Sequence, residues 1–206
     1  MNLSEIIKGR RSIRKYQDKD IPREVLNELL EDALWAPSGT NRQNWYIYVV
    51  KGEKKEILFK SMIQASQVLK PKLDKLFPEK IVEITMNFFK GLGGAPVLLM
   101  VYMPKHTYDL SKDMSMSEKY KIEYDRFVNS LSASALIQNI LLLAKEKGLG
   151  TCWLTAPKHA EDAINEEMGI TDMELVSVVT IGYPDQDPPA PKRKGEKIQW
   201  IGWGQA

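Results

Sequence analysis

Five consecutive residues, Arg10-Arg11-Ser12-Ile13-Arg14, bring three guanidinium groups and a hydroxyl together. A guanidinium donates paired hydrogen bonds from a planar fork and keeps its charge at any working pH, which suits it to phosphate. Three like charges this close repel one another, so a fold that keeps them adjacent is expected to give them an anion. A second basic cluster, Lys192-Arg193-Lys194, follows Gly182-Tyr183-Pro184. By itself that cluster reads equally well as solvated surface.

Two further segments mix polar groups with small residues. Ala36-Pro37-Ser38-Gly39-Thr40-Asn41-Arg42-Gln43-Asn44-Trp45 lets a backbone approach a flat ligand, and its amides donate and accept at once. That suits the edge of a heterocycle with alternating C=O and N–H groups, and it equally suits a polar turn. Gly148-Leu149-Gly150-Thr151-Cys152-Trp153-Leu154-Thr155 sets two glycines before an apolar run. It lacks the third glycine of a dinucleotide fingerprint and the lysine of a P-loop, so a helix cap entering a core strand is its plainer reading. His106 and His159 stand far apart without carboxylates at ligand spacing, and no serine sits in a hydrolase elbow. No acid–base or nucleophile set emerges, so any catalysis is expected to borrow a cofactor.

The elements that must position these residues alternate between helix and strand. A short helix is expected over 2–8 with Ser4 as its cap, and a second from Pro22 to about Trp35. Leu26, Leu29, Leu30, Ala33 and Leu34 share one face of the latter, and Pro37 ends it. Residues 45–50 read as a strand. Residues 53–67 and about 71–90 read as helices, broken near Pro71 and Pro78. Pro96–Met103 has the continuous apolar pattern of a central strand buried on both faces. A long helix over 118–147 stops at Gly148. Strands at 151–154 and 175–183 flank a helix over about 158–168. The tail from 184 to 206 is proline-rich yet carries Trp200 and Trp203, so it is expected to pack as an arm on another surface, such as a second subunit.

The 206 residues fit a single domain over 1–206 with a sizeable core. With 43% hydrophobic and 27% charged residues the composition is that of a globular protein. A net charge of +2 argues against nucleic acid as the main partner. The apolar stretch 131–144, interrupted by Ser132, Ser134, Gln138 and Asn139, falls short of the roughly 20 apolar residues of a bilayer span. One cysteine, Cys152, and an N-terminus without a long apolar stretch lead to the expectation of a cytoplasmic protein without membrane contact.

Together, Arg10–Tyr16, Ala36–Trp45, Gly148–Leu154 and Ile181-Gly182-Tyr183-Pro184 with the basic cluster beyond it resemble the FMN-dependent nitroreductase family. The four motifs keep the family's order and spacing over essentially the whole chain. The resemblance implies an α+β sandwich, with a mostly antiparallel central sheet flanked by helices, and an intertwined homodimer with FMN at its interface. It implies that Arg10 and Ser12 hold the FMN phosphate, with Arg11 beside them and Arg193 as a distal phosphate ligand (Lys192 or Lys194 in another register). Arg14 would face the flavin pyrimidine edge, where reduction leaves negative charge. Pro37, Ser38 and Gly39 would approach from the other subunit, and Asn41 and Gln43 would touch the ring or ribityl chain. Trp153, Leu154 and Thr155 would pass beneath the ring near N5, and Thr155 would offer a hydrogen-bond donor there.

The implied activity is oxidoreduction with NADH or NADPH as donor and a small nitroaromatic or quinone-like acceptor. Residues 62–90 and 103–127, with Phe88, Phe89, Tyr108, Tyr120 and Tyr124, are expected to shape the acceptor pocket. A threonine at 155 is also similar to the iodotyrosine deiodinase branch, which keeps reductive dehalogenation as an alternative, although 61–78 lacks that branch's Glu-x-x-x-Tyr. A flavin-binding protein without fast turnover is the third reading.

Overall fold

The continuous apolar run at Val97–Met103 requires cover on both faces of its strand. In the computed structural model, which describes residues 2–108 and 113–203, four strands form one antiparallel sheet in the order β1-β2-β4-β3. They are β1 (Tyr46–Lys51), β2 (Val97–Pro104), β3 (Gly150–Leu154) and β4 (Met173–Gly182). Central strand β2 is buried along almost its whole length because both faces are covered. Val97, Leu99 and Val101 point to one layer, with Leu29, Leu136 and Ile140. Leu98, Met100 and Tyr102 point to the other, with Leu58, Met62 and Ile164.

The helices are α1 (Leu3–Gly9), α2 (Arg23–Ala33), α3 (Glu53–Leu76), α4 (Glu79–Phe89), α5 (Met116–Glu146) and α6 (Glu161–Met168). The first layer is made by α2 and α5, the second by α3, α4 and α6. The cap of α1 is Asn2, not Ser4. The Asn2 side chain accepts from the Glu5 N–H while Glu5 reaches back to the Asn2 N–H. Leu34 lies past the end of α2 and is exposed, so it leaves the apolar face assigned to it. Pro71 does not break its helix: α3 runs through it. Residues 70–72 and Gln67 are exposed, so water reaches the carbonyl that the proline leaves unpaired. The break comes at Pro78, which opens α4.

Helix α5 is long and apolar enough by length and composition to cross a bilayer, with a mean hydropathy of 1.5 in its most apolar window, 44% of which is buried within the chain. Sequence reading placed it short of that length. Its second half packs against α2 and the sheet through Ala133, Leu136, Ile137, Ile140, Leu141 and Ala144. Its first half is different: Met116, Tyr120, Tyr124, Phe127 and Leu131 are all more than half exposed, at spacings that align them on one stripe. The tail from Pro184 to residue 203 forms no helix or strand, and Ile198, Trp200, Ile201 and Trp203 are exposed.

Candidate functional site

The arginine run leaves α1 and crosses the edge of the sheet. Ser12 makes a parallel bridge to Thr151 of β3, and the Ile13 N–H donates to the Thr151 carbonyl at 2.8 Å. Gly150 permits this approach, since a Cβ there would lie 2.7 Å from Ile13 Cγ1. Farther on, the Tyr16 N–H donates to the Gly93 carbonyl at 2.9 Å. The buried Tyr16 hydroxyl donates to the Ile13 carbonyl at 2.8 Å and lies 2.7 Å from Thr180 Oγ1. Burial pushes the Tyr16 pKa far up, so the hydroxyl remains a donor. The run is thereby held rigid on its inner side while its arginines face outward.

Arg10, Arg11, Gly150 and Thr151 line a cleft of about 290 Å³. Sequence reading missed another member, Lys145 from the last turn of α5. Its only signal was a lysine three residues before Gly148, which reads as an ordinary helix end. None of Arg10, Arg11 and Arg14 has a carboxylate within ion-pair distance among the described residues. Behind them Cys152 is buried; burial pushes its thiol pKa up, and the nearby Arg14 and Arg10 oppose that only in part. It is an inert core thiol.

Arg14 turns into a second cleft, of about 420 Å³, with Ile84, Asn87 and Phe88 of α4 and with Gly93 and Gly94. Gly93 is required there. Its φ is +66°, and a Cβ on it would sit 2.1 Å from the Arg14 carbonyl oxygen. Of the aromatics assigned to an acceptor pocket, Phe88 lines this cleft and Phe89 is core. Tyr120 and Tyr124 stack on each other on the exposed stripe of α5, and Tyr108 hydrogen-bonds Glu123. Residues 109–112 of the same expected pocket lie outside the described residues.

The 36–45 segment stands apart from both clefts. Thr40, Asn41 and Gln43 all hold positive φ, between 48° and 53°. Such backbone strain persists only where surrounding bonds enforce it. Here the Gln43 N–H donates to Ser38 Oγ at 3.0 Å, and the Gln43 amide donates to Asn41 Oδ1 at 3.0 Å. The loop rests on α5: the Gly39 N–H donates to Ser132 Oγ at 3.3 Å, and a Cβ on Gly39 would lie 2.6 Å from Val128. Pro37 is exposed, and Asn41 and Gln43 line a separate hollow beside Trp35.

At the end of β3, Leu154 is buried in the core, so only its backbone can face a ligand. The Trp153 indole N–H is spent on Ser177. Thr155 is exposed; its carbonyl accepts from the Lys158 N–H, and its hydroxyl has no hydrogen bond among the described residues. The turn after it is pinned by a charge cluster that sequence reading did not find. Glu174 accepts from Arg126 of α5 at 2.5 Å and from Lys158 at 2.8 Å, and Lys158 also pairs with Glu161 at 2.7 Å. Burial alone would raise the Glu174 pKa, but the hydrogen bonds from Arg126 and Lys158 hold it below the usual carboxylate value.

Arg193 does not join Arg10 within this chain. It is exposed in the tail and donates to the Pro191 carbonyl at 3.5 Å, its one hydrogen bond among the described residues, and Lys192 and Lys194 are exposed beside it. The tail does pass the arginine cleft earlier, at Gln186 and Asp187.

A model of the nitroreductase family matches residues 7–183. YfhC of Bacillus subtilis (strain 168), a protein named for NAD(P)H nitroreductase activity, is 31% identical over 193 residues, 93% of this chain and 89% of that protein. Iodotyrosine deiodinase of Hydra vulgaris is 26% identical over 198 residues, 94% of this chain and 69% of that protein. The crystal structure of a BluB-like flavoprotein from Clostridium difficile 630 superposes with a TM-score of 0.73 at 27% identity, covering 95% of each chain.

Proposed function

Because the chain belongs to the nitroreductase family, we propose that it is a homodimeric FMN oxidoreductase, taking electrons from NADH or NADPH and passing them to a small electron-poor acceptor such as a nitroaromatic or quinone. One observation carries the reading: three arginines, without carboxylate partners among the described residues, gather at a glycine-lined sheet edge. The residues fit the cofactor in charge. Arg10, Arg11 and Ser12 offer charge-assisted donors to its phosphate. Arg14 places a permanent cation where the pyrimidine edge would lie, and Thr155 offers an uncommitted hydroxyl toward N5. When bound, FMN supplies the hydride chemistry at N5. The protein's part is to bind the phosphate, stabilise charge on the ring and leave one face open beside Phe88 and Asn87.

The homodimer follows from α5. The stripe Met116, Tyr120, Tyr124, Phe127 and Leu131 is too apolar to leave in water, and the 37–43 loop packs on the same helix through Val128 and Ser132. Two such helices packed together would carry Pro37, Ser38 and Gly39 of one subunit toward the arginine cleft of the other. Asn41 and Gln43 would travel with them. The exposed tail, with Trp200 and Trp203, would cover the partner, and Arg193 would reach phosphate only in that assembly.

The test begins with purified protein. Flavin absorbance at one FMN per chain is expected, with rapid bleaching on anaerobic mixing with NADH or NADPH and recolouring by a nitroaromatic or quinone. A protein that takes up no FMN overturns the reading; FMN that neither nicotinamide reduces points instead to a flavin-holding role. The Thr155 hydroxyl, without a hydrogen bond among the described residues, favours one second reading, reductive dehalogenation. Dehalogenation of a halophenol faster than reduction of any nitroaromatic would install that reading in place of the first.

A further inference from the structure

The cleft beside Arg10 is bordered by the carboxyl end of α5, which is a poor neighbour for a phosphate. The last carbonyls of a helix carry partial negative charge and would repel a dianion. Lys145 is placed to cancel that repulsion. It belongs to the last turn of α5, lines the same cleft as Arg10 and Arg11, and runs its stem past Gly9, with Cε 3.5 Å from where a Cβ on Gly9 would lie. Among the described residues no carboxylate pairs with it. Lys147, two residues on, is engaged instead with Glu28 at 2.7 Å.

We infer that Lys145 is a phosphate-binding residue for the flavin, completing with Arg10 and Arg11 a cleft matched to a phosphate monoester. The inference rests on the FMN reading above and adds a residue to it. Three cations line the cleft against one carboxylate, Asp187. The balance of two positive charges meets a monoester that carries about −1.5 to −2 at neutral pH. Without the lysine, one positive charge would face both the dianion and the helix end. Lys145 therefore acts on the phosphate and not on the ring.

That distinction is measurable, because riboflavin lacks the phosphate. Apoprotein is titrated with FMN and with riboflavin, for wild type, Lys145→Ala, Lys145→Arg and Lys147→Ala, with thermal melts of each apoprotein to check folding. Lys145→Ala is expected to weaken FMN by about tenfold or more, leave riboflavin within about twofold, and thus lose discrimination between the two. Lys145→Arg should restore most of that discrimination, and Lys147→Ala should not alter it. Equal weakening of both flavins would mean that Lys145 only supports the helix end, and the inference fails. Unchanged FMN affinity also overturns it. A wild type that takes up no FMN sinks the FMN reading first and this inference with it, whereas wild-type binding with an indifferent Lys145→Ala sinks the inference alone.

Discussion

The edge where Arg10–Arg14 meets β3 and the loop where Ser38–Gln43 rests on α5 both present polar groups, yet they are held by opposite means. At the edge, each turn of the backbone is tied to a different element: Ile13 to Thr151, Tyr16 to Gly93 and Thr180. Two glycines admit contacts no side chain would allow. At the loop, three strained residues are tied within a turn that meets one helix through Gly39, next to an apolar stripe that no described residue covers. The contrast is between an arginine edge braced from several elements of its own chain and a loop whose neighbouring apolar face lies exposed.

The most damaging way to break this comparison is to charge the stripe. Replacing Phe127 and Leu131 together with Asp should remove four large apolar side chains from a twofold interface, each worth about 1.5–3 kcal/mol. A monomer by light scattering, with FMN occupancy lost, is the expected outcome; a persistent dimer would mean that the stripe is not the interface. Arg14→Ala comes next. It should weaken FMN by about 1.5–3 kcal/mol and make its reduction harder, read from titrations and from the midpoint potential. Unchanged affinity and potential would take Arg14 out of the ring contact.

Gly150→Ala probes the arginine edge alone. Its Cβ would collide with Ile13, so the apoprotein should lose about 1–3 kcal/mol in urea unfolding, with no change of oligomeric state. The smallest effect is expected at Glu174, which links the exposed half of α5 to the turn after Thr155. Its folded pKa is depressed, so its stabilisation is complete above the unfolded value near about 4.3 and disappears as pH falls through the lower folded value. Glu174→Gln should cost about 1 kcal/mol at neutral pH, since the Arg126 side chain is 42% exposed and water screens the pair. The variant should also lose less stability than wild type when acidified below pH ~5. A wild type and variant with parallel acid profiles would show that the cluster does not stabilise the fold.

Strand β2 and the inner face of α2 were readable from sequence because a continuous apolar run and a one-faced apolar period announce them, whereas the layered sandwich came from the family resemblance. Pro71 misled because proline is penalised by local rules, while an exposed helix lets water satisfy the carbonyl it frees. Arg10, Arg11, Ser12 and Arg14 were legible as a cluster, since their chemistry lies in residue type and spacing. Lys145 was not, because the arginines it joins lie more than a hundred positions away, and a lysine near a helix end looks unremarkable. The Arg126–Lys158–Glu174 cluster was hidden for the same reason, its members coming from a helix, a turn and a strand. Arg193 marks the opposite limit: its motif was clear, but within one chain it has no phosphate cleft to join.

The buried bond between Tyr16 and Thr180 joins residues 164 positions apart. Translation at about 5–20 residues per second puts on the order of ten seconds between the synthesis of the two. For most of that time β3, against which the arginine run lies, has not been made, and the cleft that gathers the run is complete only once residues 184–187 follow. Flavin loading is therefore an event of the released chain. A fusion partner placed at the N-terminus would act on the one segment that must remain free until the last strand arrives.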